Sequence, residues 1–85
     1  MKQFTHDIQD PLGLHARPAA ALVKACAAYQ SAITISIPSG SADGKRLIAV
    51  MRLGAKPGIP LTVSCDGPDE EQAAAGLQAF LAENL

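Results

Sequence analysis

Tryptophan is absent from this 85-residue chain, and its only aromatic side chains are Phe4, Tyr29 and Phe80. Large rings bury the most area per residue, so their scarcity predicts an aliphatic core. The hydrophobic fraction is 48%, but much of it is alanine, which buries little, and modest stability is expected. Cysteine is nearly missing too. Cys26 and Cys65 are too few and too far apart for a disulfide framework or a zinc motif. Each lies among apolar residues, which predicts two buried free thiols. Charge of one sign is also lacking: the net charge is −1 and no long basic run occurs, which argues against nucleic acid as the main partner. No apolar run reaches the length of a signal segment or a membrane span, so the expected location is cytoplasmic, without membrane insertion. The length predicts one domain over residues 1–85.

What is present is organised by alternation. In the segment 2–8, Phe4, His6 and Ile8 share one face and Gln3, Thr5 and Asp7 the other, which predicts a strand. Asp10-Pro11-Leu12-Gly13 reads as a loop. From Ala16 to Tyr29 the apolar positions Ala19, Leu22, Val23 and Cys26 form one helical stripe, and Pro18 suits a first helical turn. Ile33, Ile35 and Ile37 alternate with Thr34 and Ser36 in a second strand. Ser39-Gly40-Ser41 is predicted as a turn and Ala42-Asp43-Gly44 as a short edge strand. The apolar cluster Leu47, Ile48, Val50, Met51 and Leu53 could be a short helix or a strand by pattern alone; Leu47, Val50 and Met51 at i, i+3 and i+4 favour a helix, ending at Gly54. Leu61, Val63 and Cys65 mark another strand. A last helix begins in the acidic Asp69-Glu70-Glu71, favourable at the positive end of a helix dipole. Its inner face is assigned to Ala74, Leu77, Phe80 and Leu81, with Ala73 and Ala75. The order of elements predicts an α+β fold, one sheet with helices packed on one face.

Two histidines could do chemistry. His6 lies within a strand with no obvious partner and is read as structural or solvent-exposed. His15 stands between a loop and the start of a helix, where free backbone N–H groups and a partial positive charge accumulate. An anion placed there is stabilised without a special side chain. Pro18 lacks an N–H, but Ala16 and Arg17 keep theirs, and Arg17 adds a fork of donors suited to phosphate oxygens. A neutral imidazole has a free nitrogen lone pair, which is what a nucleophile needs. The residues alone also allow a capping or surface histidine.

The run Gly13-Leu14-His15-Ala16-Arg17-Pro18-Ala19-Ala20 resembles the active-site signature of the HPr family, the histidine-containing phosphocarriers of the bacterial phosphoenolpyruvate-dependent sugar phosphotransferase system. The resemblance continues through Lys45, the apolar stretch from Leu47 to Gly54, the strand from Leu61 to Asp66, and Gly67-Pro68-Asp69-Glu70-Glu71. It implies an open-faced β-sandwich, a four-stranded antiparallel sheet with three helices on one face. It implies that His15 is phosphorylated on Nδ1, that Arg17 supports the phosphoryl group, and that Leu47, Ile48 and Met51 dock partners; the free N–H groups of Ala16 and Arg17 at the helix start are the expected backbone support. Those partners would be enzyme I as donor and enzyme IIA components as acceptors. The chain would then be a protein substrate of enzymes and not an enzyme itself, with no cofactor and no metal.

One position departs from the family. Many HPr proteins carry after Lys45 a serine phosphorylated by a dedicated kinase. Here Arg46 stands there, with no hydroxyl to accept a phosphate, and its charge is expected to assist docking to acidic surfaces. Leu47, Ile48 and Met51 cannot all face inward beside Val50 and Leu53 in one short helix, so some should be exposed. Two other functions are weighed. A regulatory or nitrogen-branch relative would use the same fold and chemistry. A free-standing enzyme with His15 as general base would need a second polar group and a cleft, and no carboxylate has a sequence reason to lie nearby. With no heptad or strand suited to self-pairing, a monomer is expected.

Overall fold

Alternating apolar residues make a sheet when one of its faces can be covered. A computed structural model describes residues 1–85. Its elements are β1 (Lys2–Asp7), α1 (Ala16–Ala27), β2 (Ala32–Ile37), β3 (Gly40–Asp43), α2 (Leu47–Arg52), β4 (Pro60–Asp66) and α3 (Glu70–Asn84). The strands form one antiparallel sheet in the order β1-β4-β2-β3. Its register sets Phe4 and Ile35 on either side of Val63, so one apolar row crosses three strands.

Only one face of this sheet is apolar. Ile33, Ile35, Leu61, Val63 and Cys65 are buried, whereas the intervening Thr34, Thr62 and Ser64 reach solvent wholly or in part. The helices cover the apolar face with Leu22 and Cys26 of α1, Val50 of α2, and Leu77 and Leu81 of α3, all fully buried. Each buried aliphatic side chain of this size contributes about 1.5–3 kcal/mol of transfer free energy. The core is aliphatic, with Phe4, Tyr29 and Phe80 only packed against its margin. Both cysteines are free and buried, and burial pushes the Cys26 thiol up to about 12.

Two local readings change. The predicted turn at Ser39-Gly40-Ser41 narrows to Pro38 and Ser39, because Ile37 already pairs with Gly40 and Ser36 with Ser41. In α3, Ala75 faces solvent and Ala73, Leu77 and Leu81 form the buried seam. The seam follows the i, i+4 rows that meet the sheet, and this row leaves Ala74 and Phe80 half-buried. His6 lies within β1 without a partner, as read; it is half-buried and its Nε2 is shut from solvent.

The acidic start of α3 does more than oppose a dipole. Glu70 and Glu71 sit in the first turn, but the Asp69 carboxylate leaves its own helix. It accepts the Gln30 N–H at 2.8 Å and the Ser31 N–H at 2.9 Å, and it also accepts the Ser31 hydroxyl proton. Ser31 is the one fully buried polar residue, so Asp69 satisfies the link between α1 and β2. These bonds, the Ser31 hydroxyl first, hold the Asp69 carboxyl below its ordinary value of 3.8. A carboxyl lowered by folding stabilises the fold above its unfolded value and loses that contribution as pH falls through the folded one. Asp69→Asn should therefore lower the melting temperature at pH 7. The difference from wild type should shrink as pH falls below 3.8, where wild type is protonated as well; thermal melts across that range check it.

Candidate functional site

The loop before α1 is held by hydrogen bonds along its length. The N–H groups of Gln9 and Asp10 donate to the Leu85 carbonyl at 2.5 and 3.0 Å. The Asp10 carboxylate accepts the Leu12 N–H at 2.8 Å, the local turn that an aspartate two residues upstream can make. The Asp10 carbonyl accepts the Gly13 N–H at 2.9 Å, and Leu14 donates to the Ala55 carbonyl at 2.9 Å. Leu14 and Pro18 then sink into the protein on either side of His15.

Gly13 is needed at its place for two reasons. Its φ is +67°, in the left-handed region, and a Cβ there would run into the Ala55 carbonyl oxygen. Ala55 follows Gly54, whose φ of +62° lets the chain leave α2 just after its cap Leu53. The turn that ends α2 therefore supports the turn that begins α1.

His15 is the N-cap of α1, in extended conformation, and its side chain makes no capping bond. Its carbonyl accepts the Ala19 N–H at 2.9 Å, the first bond of the helix. The N–H groups of Ala16 and Arg17 have no acceptor within the protein, and Pro18 has none to offer. The Arg17 side chain is exposed and enters no ion pair. The imidazole is about one-third exposed, at 32%. The ring thus borders two unused amides on the first turn that carries the uncommitted Arg17 guanidinium.

A carboxylate does lie beside the ring, against the sequence expectation. Asp10 Oδ2 is 3.9 Å from His15 Nε2. Four residues lie between the two in the chain, and only the folding of the intervening loop brings them together. Sequence reasoning also passed over Leu12, which is 73% exposed in the same loop.

Of the residues assigned to docking, Leu47, Ile48 and Met51 are exposed at 38%, 62% and 39%, while Val50 between them is fully buried. Six residues of helix cannot bury both sides. Arg46 is the N-cap of α2, with its Nε 3.7 Å from Asp43 Oδ2 and its side chain 79% exposed. Lys45 turns inward and donates from Nζ to the Tyr29 carbonyl at 2.7 Å, just beyond the end of α1, where a cation is favourable. No group of side chains is arranged to hold a metal ion, and no helix is long and apolar enough to cross a membrane.

A family model described as "PTS HPr component phosphorylation site" matches residues 2–83. The phosphocarrier protein HPr of Mycoplasma genitalium is 39% identical over 85 residues, covering 99% of this chain and 97% of the relative. The phosphocarrier protein HPr of Lysinibacillus sphaericus is 40% identical over 82 residues, covering 96% and 91%. The solved structure of a histidine-containing phosphocarrier protein of Mycoplasma superposes with a TM-score of 0.93 at 33% identity, covering 96% of this chain and 93% of that one.

Gly13→Ala should cost about 1–3 kcal/mol, through positive φ and the collision with the Ala55 carbonyl. Urea denaturation measures this, and the Leu14 amide should lose its protection against hydrogen exchange in the same variant.

Proposed function

The chain belongs to the HPr family of phosphocarrier proteins of the phosphotransferase system, and we propose that His15 is the residue that carries the phosphoryl group, on Nδ1. It is a carrier and not an enzyme. The observation that carries the assignment to His15 is the free first turn of α1. Two amides without acceptors and an unpaired guanidinium belong to the two residues that follow an accessible imidazole, where they could serve an anion attached to the ring. His15 lines none of the surface depressions, so the group would be reached from open solvent, as a protein-to-protein transfer requires.

The donor in this reading is phospho-enzyme I and the acceptors are enzyme IIA components in sugar uptake, met in the cytoplasm. Leu47, Ile48 and Met51 would dock them, with Arg46 adding charge at the rim. The patch is small, which suits encounters that must end quickly. Arg46 also leaves the position after Lys45 without a phosphorylatable hydroxyl.

Incubation with enzyme I, magnesium and labelled phosphoenolpyruvate should add one acid-labile, base-stable phosphate. His15→Ala should abolish it. Arg17→Ala should slow transfer by about tenfold, the loss of one charge-assisted contact. No labelling of the wild-type chain by a competent donor refutes the carrier assignment. Transfer onward only to a nitrogen-branch enzyme IIA would replace the sugar assignment.

Ile48→Ala tests the docking face separately. At 62% exposure the side chain adds little to folding, so stability should stay within about 0.5 kcal/mol. The KM for the carrier in transfer to enzyme IIA should rise severalfold, with the chemical step unchanged.

A further inference from the structure

Asp10 is the most heavily engaged residue of the His15 loop, and the carrier chemistry above makes no use of it. Its Oδ1 accepts the Leu12 N–H, its own N–H donates to the Leu85 carbonyl, and its carbonyl accepts the Gly13 N–H. Backbone and carboxylate are thereby fixed together, so the direction of Oδ2 is fixed as well. Oδ2 points to the Nε2 edge of His15, at 3.9 Å, and both side chains are partly shielded from water, at 25% and 32% exposure.

Resting on the carrier reading, we propose that Asp10 is a positioning residue for His15: its Oδ2 keeps the ring proton on Nε2 and so leaves the Nδ1 lone pair free to take the phosphoryl group. A neutral imidazole has one N–H and one lone pair, and the partner on one edge decides which nitrogen holds which. An ionised carboxylate only accepts, so it favours the proton on the edge it faces.

The transfer then balances without a base. The Nδ1 pair attacks the phosphorus of a donor phosphoimidazole. The Nδ1–P bond forms, the donor N–P bond breaks, and its electron pair returns to the donor nitrogen. Nε2 keeps its proton throughout, so the loaded ring is positive, and the Asp10 carboxylate offsets that charge. On delivery the acceptor nitrogen attacks phosphorus, and the Nδ1–P pair returns to Nδ1. No proton enters or leaves this chain in either direction.

Asparagine separates this role from a purely structural one. The Leu12 N–H needs an acceptor, so in Asp10→Asn the amide oxygen stays on it and the NH2 group takes the place of Oδ2. A donor then faces Nε2, which favours the proton on Nδ1, the nitrogen that must attack. Asp10→Ala loses the turn but sets no donor against the ring. Ring 15N NMR of the unphosphorylated, neutral imidazole should show the Nε2–H form in wild type and a shift toward Nδ1–H in Asp10→Asn. Phosphoryl transfer by Asp10→Asn should fall by about tenfold or more, as for other carboxylates that orient a working imidazole. Asp10→Asn should also be the more stable variant of the two and yet the slower.

Stability and rate falling together, with Asp10→Ala the slower, would reduce Asp10 to a turn residue and overturn the proposal. An unchanged ring spectrum in Asp10→Asn would overturn it too. The ring measurement needs no phosphoryl donor. If the wild-type chain takes no phosphate, the carrier reading fails by itself, and the spectrum still decides the role of Asp10.

Discussion

Between the Leu14 N–H and the Ala55 carbonyl lie 2.9 Å, and this bond joins two segments that are otherwise far apart in the chain. It ties the approach to α1 to the exit from α2. The approach can come this close because Gly13 has no Cβ to meet the Ala55 oxygen. Once the two turns are locked, His15 has one place to stand and α2 one place to end. The relation between the His15 ring and the exposed side of α2 is therefore a property of the backbone. Long polar side chains would hold such a relation poorly, since each loses rotamer freedom to do so. A glycine contact and a backbone bond hold it at little entropic cost beyond folding itself.

The same sheet that supports this arrangement explains which parts of it were legible. Strands were readable because only one face is covered: alternation at Ile33, Ile35, Leu61, Val63 and Cys65 records burial directly. α2 was ambiguous by pattern, and its mixture of buried Val50 with exposed Ile48 is what a short helix over a core edge produces. The start of α1 was legible in type, since Pro18 and the preceding glycine are local signals. What escaped were contacts made by loops folding back. Asp69 read as a helix-end charge because the sequence does not show that Gln30 and Ser31 arrive beside it. Asp10 read only as part of a loop, although its relation to Leu12 is a recognisable local turn. Its approach to His15 was hidden, because that depends on the Leu85 and Ala55 carbonyls, which come from elsewhere in the chain. Ala75 was misplaced for a milder reason: in an alanine-rich helix the apolar stripe is too broad to aim.

A phosphoryl carrier faces opposed demands, and the location of the site answers them. Stabilising the group too well would make the loaded form a poor donor. A buried cage of cations would do that, because charge interactions strengthen as water is excluded. With the phosphoryl group on His15, as proposed, the groups available to it would be the amides of Ala16 and Arg17 and an exposed guanidinium. Each would act across water and be screened by it, so the hold would be loose. Selectivity must then come from somewhere other than the grip on phosphate. The exposed apolar side of α2, fixed in relation to His15 by the Leu14–Ala55 bond, can supply it. Apolar contact there would bring a partner to the ring, exclude water from the first turn of α1, and strengthen the Arg17 and amide contacts only while the partner is present. In this arrangement the strength of the site is not a constant of the chain. On the proposed assignment it would rise when a partner covers the site and relax when the partner leaves, which would allow one histidine to serve as both acceptor and donor.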